Sequence, residues 1–193
     1  MAATFLLAGL GNPGSRYEKT RHNAGFWFLD EVVRRYHLSF RREAKFHGEY
    51  AKGPIEGAEQ LLLKPGTFMN RSGQAVGAVC QFFKLPPSQV LVIHDELDLP
   101  AGQMKFKTGG GHGGHNGLRD IHAHLGKPDY HRLRIGIGHP GNAKQVADYV
   151  LKNPGSDDRI AIDRAIEVAL DALPLILRGD FARATNQING HKP

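Results

Sequence analysis

The sequence predicts an α/β fold: a single three-layer α/β/α domain built on a twisted, largely parallel mixed sheet, spanning residues 1–193. Three observations lead there. Apolar runs of strand length, Thr4-Phe5-Leu6-Leu7-Ala8, Gln60-Leu61-Leu62-Leu63-Lys64 and Val90-Leu91-Val92-Ile93, read as buried strands. Between them lie stretches with helical spacing of apolar residues, so strands and helices alternate along the chain. The length of 193 residues suits one domain, which at this size buries roughly 70% of its unfolded surface and needs no covalent staple.

The first strand is expected from about Thr4 to Leu10, followed by a polar loop and a helix from about Ala24 to Tyr36, with Asn23 as its N-cap. Arg41 to Gly53 reads as a strand pair with Ala51-Lys52-Gly53-Pro54 as a turn. The second apolar strand stops at Pro65-Gly66, and a helix runs from near Asn70 to Lys84, where Pro86-Pro87 breaks the pattern. The third core strand ends at His94-Asp95-Glu96. Met104 to Lys107 alternates as a short strand, Thr108 to His115 is a flexible glycine loop, and Asn116 caps a helix to about Leu125. Leu133 to Gly138 is a further strand. Helices follow over Ala143–Leu151 and Asp157–Leu177, the second bent or restarted at Pro174, and the tail after Gly179 reads as loosely structured. No repeat of solenoid period occurs, but His22-Asn23 and His115-Asn116 echo one another, each opening a helix.

The formal charge of +6, with eleven histidines counted neutral, favours a polyanionic partner or serves solubility alone. Glycine, at 24 residues, is nearly twice the usual share of roughly 7%, which implies turns or close approach to a ligand. The single Cys80 excludes an internal disulfide and, among Ala78, Val79 and Phe83, reads as a buried thiol in a reducing compartment. No signal peptide is visible, and no run reaches the roughly 20 apolar residues of a membrane helix, so a cytoplasmic, soluble chain without membrane contact is expected.

In sheets of this kind ligands gather beyond the carboxyl ends of the strands. Asn12 follows the first strand, Asn70 the second, and Asp95 the third; if the three strands run parallel, these groups share one edge. The loop from Gly9 to Gly25 adds Tyr17, three cations and His22. A hydrolase without metal or covalent nucleophile needs a base for water, a partner to orient that base, and donors for the developing oxyanion. His22 fits the base, Asp95 the orienting partner, and Asn12 and Asn70 the amide donors. Taken singly, His22 also suits a polar loop, Asp95 a cap or turn, and Asn12 before Pro13-Gly14 a turn.

Other chemistries fit less well. No Gly-x-Ser-x-Gly elbow is present. Gly9-Leu10-Gly11-Asn12-Pro13-Gly14 matches a dinucleotide fingerprint in letters, but Pro13 lacks an N–H and the helix opens too late. The later histidines, His112 and His115 among them, form no H-E-x-x-H pattern and read as surface or loop residues, so neither metal nor cofactor is expected. Lys105 with Lys107, and Arg132 with Arg134, each share a strand face that suits phosphate or solvent. Tyr17 and Phe68 suit stacking on a base or ribose, although a Phe beside Met69 also suits the core.

At these residues the sequence resembles the bacterial-type peptidyl-tRNA hydrolase family. Gly9 to Gly25 matches every fixed position of its opening motif, and Lys64-Pro65-Gly66-Thr67-Phe68-Met69-Asn70-Arg71-Ser72-Gly73 resembles the second. His94 to Pro100, Gly109 to Leu118, and Arg134 to Gly138 resemble the third, fourth and fifth. The resemblance implies a metal-free cytosolic esterase that cleaves the bond between a peptide and the 3′-terminal ribose of tRNA. It implies His22 as base and Asp95 as partner, with Asn12 separating peptidyl from free aminoacyl substrates. Asn70 and Asn116 would hold the peptide backbone and the catalytic water, and Tyr17, Phe68 and Met69 would line the cleft. Lys107 and Arg134, with Lys105 nearby, would clamp the tRNA 5′-phosphate. A non-catalytic RNA-binding relative of the same fold is the alternative. A monomer is expected, because no long exposed apolar stripe is evident.

Overall fold

The computed structural model describes residues 2–193. One seven-stranded sheet carries the chain: β1 (Leu6–Gly9), β2 (Arg41–Glu43), β3 (Gly48–Ile55), β4 (Ala58–Pro65), β5 (Val90–Glu96), β6 (Met104–Thr108) and β7 (His131–Gly136). Their spatial order is β2-β3-β4-β1-β5-β7-β6. The central four, β4, β1, β5 and β7, are mutually parallel, and the antiparallel pairings, β2 with β3, β3 with β4 and β6 with β7, lie toward the two edges. The three apolar runs are therefore neighbours pointing the same way, and their polar ends do share one edge.

Helices cover both faces. α1 (Ala24–Tyr36), the short α4 (Val146–Val150), α5 (Ser156–Leu177) and α6 (Phe181–Asn189) pack on one; α2 (Ser72–Phe83) and α3 (Asn116–Leu125) pack on the other. β1 shows why the centre reads as a continuous apolar run: Leu7 joins the first core and Leu6 with Ala8 the second. Burying each such leucine contributes about 1.5–3 kcal/mol. Cys80 is buried, and burial pushes its thiol up to about 11, so it packs as an inert side chain.

Several expectations are corrected. The turn at Ala51–Pro54 does not exist: β3 runs straight through it, and the hairpin closes at Glu56-Gly57, which hold positive φ of 55° and 80°. Asn23 does not cap α1; its side chain turns back to the Asn12 backbone. Asn116 does not cap α3; the His115 ring does, accepting from the N–H groups of Gly117 and Leu118. α2 begins at Ser72, after a tight turn over Met69–Arg71. α5 continues through Pro174 without a restart. The tail is ordered as α6, because Ala184 and Ile188 bury one face and Phe181 stacks on Phe106. Among the described residues no helix is long and apolar enough to cross a membrane.

One close approach sets up the site. A side-chain carbon on Gly25 would lie 2.4 Å from both the Ile93 carbonyl and the Leu10 N–H. Only glycine lets α1 start directly on the ends of β1 and β5. The turn before it, Arg21–Asn23, is thereby held over the last residues of β5.

Candidate active site

Asp95 is the buried centre of the site. One carboxylate oxygen, Oδ2, lies 2.8 Å from His22 Nδ1, and the other, Oδ1, lies 2.8 Å from His115 Nε2. Burial works against its charge, but the two imidazoles, by charge and hydrogen bond, hold it well below the usual carboxylate range. An ionised carboxylate only accepts, so His22 Nδ1 and His115 Nε2 each carry a proton. The α3 cap gives His115 the same tautomer independently, since its Nδ1 accepts from Gly117 and Leu118 at 3.1 and 3.4 Å. His22 is left with a bare Nε2, the nitrogen a base must present.

Burial pulls the His22 pKa down, and the charge and hydrogen bond of Asp95 together outweigh it, so the net shift is upward. The neutral ring is thus lost as pH falls through a value above the ordinary 6.5. The acid limb of kcat/KM is expected to have its midpoint above 6.5; a midpoint at or below 6.5 in a pH–rate profile contradicts this. Beneath them His94 is fully buried; burial first, then His115, lowers it to about 3, so it stays neutral. Its Nδ1–H donates to the Asp95 carbonyl at 2.8 Å.

His22, Asp95 and His115 bring three ligand-type atoms within 4.8 Å of one another. The tautomers argue against a divalent ion there. A metal on His115 Nε2 would move the proton to Nδ1, against two N–H donors, and dissolve the cap of α3.

Asn12 is buried, at 7% exposure, and doubly restrained. Its backbone N–H and carbonyl pair with the Asn23 amide at 2.9 and 3.0 Å, and its Oδ1 accepts from the Met69 N–H at 2.8 Å. Only its Nδ2 end is left for a ligand. Met69 is buried, with its sulfur where a side chain on Gly117 would stand, so the Asn12 and Asn70 segments meet the start of α3. Asn70 is exposed and borders a separate hollow with Thr67, Phe68, Arg71 and Gln74, whereas Asn116, exposed at the first turn of α3, stands beside the His22–Asp95–His115 group. Phe68 is 58% exposed and edge-on to Tyr17, with centroids 6.4 Å apart, so it lies on the surface rather than in the core. A cavity of about 450 Å³ opens beside the triad, lined by His22, Asp95, His115, Asn116, Leu97 and Val146 among others.

On the far strands, Lys105 faces Arg134 and Lys107 faces Arg132 across the β6–β7 ladder. Arg134 Nε donates to Glu96 at 2.9 Å. Arg132 is corrected as a phosphate residue: it is buried, and its guanidinium is taken up by the carbonyls of Gly110, Gly111 and Pro128 and by His122. His115 is the site residue that sequence reasoning missed. The repeated His-Asn at a helix start was its signal, and the surrounding glycines masked it.

Comparison with known proteins decides the family. The family model described as Peptidyl-tRNA hydrolase matches residues 6–193. The chain belongs to the peptidyl-tRNA hydrolase family. It is 56% identical over 180 residues to a peptidyl-tRNA hydrolase of Neisseria meningitidis, covering 93% of this chain and 94% of that one. It is 55% identical to that of Halorhodospira halophila, covering 95% of each. A crystal structure of peptidyl-tRNA hydrolase from Acinetobacter baumannii superposes with a TM-score of 0.97 at 49% identity, covering 100% of this chain and 98% of that one. A family of hydrolases matched over nearly the whole chain makes this an enzyme acting on peptidyl-tRNA. A non-catalytic RNA-binding role for the same fold finds no support.

Proposed function

We propose that the cleft hydrolyses the ester between a peptide and the 3′-terminal ribose of tRNA by direct attack of water, with His22 as general base. The observation that carries this is the two-sided grip on Asp95, which fixes the His22 proton on Nδ1. His22 Nε2 takes a proton from water as the oxygen attacks the ester carbonyl. Asp95 stabilises the imidazolium that forms, and the imidazolium returns the proton to the departing ribose oxygen. Asn116 and Asn70 hold the water and the peptide backbone from the rim, and Tyr17, Phe68 and Met69 line the path of the chain. The protein works as a single-domain monomer in the cytoplasm, without a metal or cofactor.

The free Nδ2 end of Asn12 gives selectivity. It donates to the first peptide carbonyl, and a free α-ammonium leaves it mispaired. In a hydrolysis assay, N-acetyl-aminoacyl-tRNA is expected to turn over far faster than unblocked aminoacyl-tRNA, equally with and without chelator. Asn12→Ala is expected to narrow that preference by roughly 10- to 100-fold, the size of the penalty for leaving one buried donor unpaired. Equal turnover of both substrates by the wild type, or loss of turnover in chelator, contradicts the reading.

Lys107, Lys105 and Arg134 form the phosphate clamp for the tRNA 5′ end. Lys107→Ala or Arg134→Ala is expected to weaken tRNA binding and lower the salt-dependence slope by about 1 each, with little change in kcat. Titrations at several salt concentrations read this directly; an unchanged slope removes the clamp from these residues.

A further inference from the structure

One buried charge has no part in the chemistry above. Arg132, on β7, is 2% exposed, and among the described residues no carboxylate hydrogen-bonds to it; Glu96 favours its charge only through space. Nη1 donates to the Gly111 carbonyl at 2.5 Å, and Nη2 donates to the Gly110 carbonyl at 2.5 Å, His122 Nε2 at 3.0 Å and the Pro128 carbonyl at 3.2 Å. The Tyr130 ring lies 4.7 Å away. Desolvating a guanidinium that no carboxylate hydrogen-bonds is costly, and an apolar side chain would serve the fold more cheaply.

The cost is concentrated on one segment. Gly110 and Gly111 lie midway in the loop between β6 and α3, a stretch with four glycines at positive φ. Its other backbone ties are Gly109 N–H to the Tyr130 carbonyl at 3.0 Å, and two bonds to His112 from Gly114 and His115 that stay within the segment. A chain of this composition has much conformational freedom to lose. Arg132 is what holds its middle to the sheet. The loop then delivers His115 to Asp95 and Asn116 to the cavity. At its other end Lys107 crosses it: a side-chain carbon on Gly110 would meet Lys107 Nζ at 2.6 Å.

The structure assigns Arg132 a positioning role: it staples the glycine loop to β7 and so sets where His115 and Asn116 stand against Asp95 and the ester. This rests on the reading of the site given above. Arg132 touches no substrate, which separates it from Lys107 and Arg134. Lysine cannot replace it, because one ammonium cannot span four acceptors on three segments.

The test compares full-length Arg132→Lys and Arg132→Ala with His115→Ala and Asn116→Ala, using N-acetyl-aminoacyl-tRNA for turnover and deacylated tRNA for affinity. Both Arg132 variants are expected to lose between about tenfold and the ~10²-fold that a 1 Å misplacement can cost in kcat, with tRNA affinity within about threefold. Methylguanidinium is expected to restore kcat in Arg132→Ala and not in His115→Ala. Wild-type kcat in Arg132→Lys, a loss that methylguanidinium does not restore, or failure of both variants to fold each overturns the role. If His115→Ala and Asn116→Ala keep wild-type kcat, the site reading fails and the staple falls with it; if they lose kcat while the Arg132 variants do not, the staple alone fails.

Discussion

Replacing His22 with alanine is expected to lower kcat by roughly 10²–10⁴-fold, the contribution of a well-placed general base, while tRNA affinity stays within about twofold. The split follows from where the residue sits. His22 lies on the turn before α1, against Asp95, whereas Lys105, Lys107 and Arg134 lie on the β6–β7 ladder. Steady-state kinetics on N-acetyl-aminoacyl-tRNA, with a separate binding isotherm for deacylated tRNA, measures both quantities. Turnover equal to wild type in His22→Ala removes the base assignment.

Asp95→Asn is expected to be about as damaging, and for a reason that can be taken apart. A carboxamide offers one acceptor and one donor where the carboxylate offers two acceptors. His115 cannot change tautomer without breaking the cap of α3, so the amide oxygen goes to His115 Nε2 and the amide NH₂ faces His22 Nδ1. His22 then carries its proton on Nε2 and has no lone pair for water. In hydrolytic triads the same substitution costs ~10⁴-fold by the same route. Adding His115→Ala frees the amide oxygen to accept from His22 Nδ1, so the double variant is expected to recover part of the activity that Asp95→Asn lost. A double variant no faster than Asp95→Asn contradicts the tautomer account.

The parts of this molecule that were legible in the sequence are those set by local pattern. Leu61–Leu63 and Val90–Ile93 are apolar because both faces of their strands are covered, and parallel pairing then brings Asn12, Asn70 and Asp95 to one edge. Local pattern misled where two signals competed. Gly53-Pro54 outranks Glu56-Gly57 as a turn by composition, yet Pro54 sits exposed in β3, opposite Glu59. The tail reads as loose because α6 buries few apolar side chains, and its order comes from partners distant in sequence such as Phe106. The site was half legible for a similar reason. His22 and Asp95 end their segments visibly, whereas His115 follows a run of glycines whose shape is set by Arg132, a residue on another strand. Asn23, which stands at a cap position in the sequence, is the amide that fixes Asn12.

The protonation state of His22 is the central quantity, and ¹⁵N chemical shifts of its imidazole measure it directly across a pH titration. The account predicts a neutral ring with the proton on Nδ1, a bare Nε2, and a midpoint above the ordinary 6.5. A neutral ring protonated on Nε2, or a midpoint below 6.5, contradicts it.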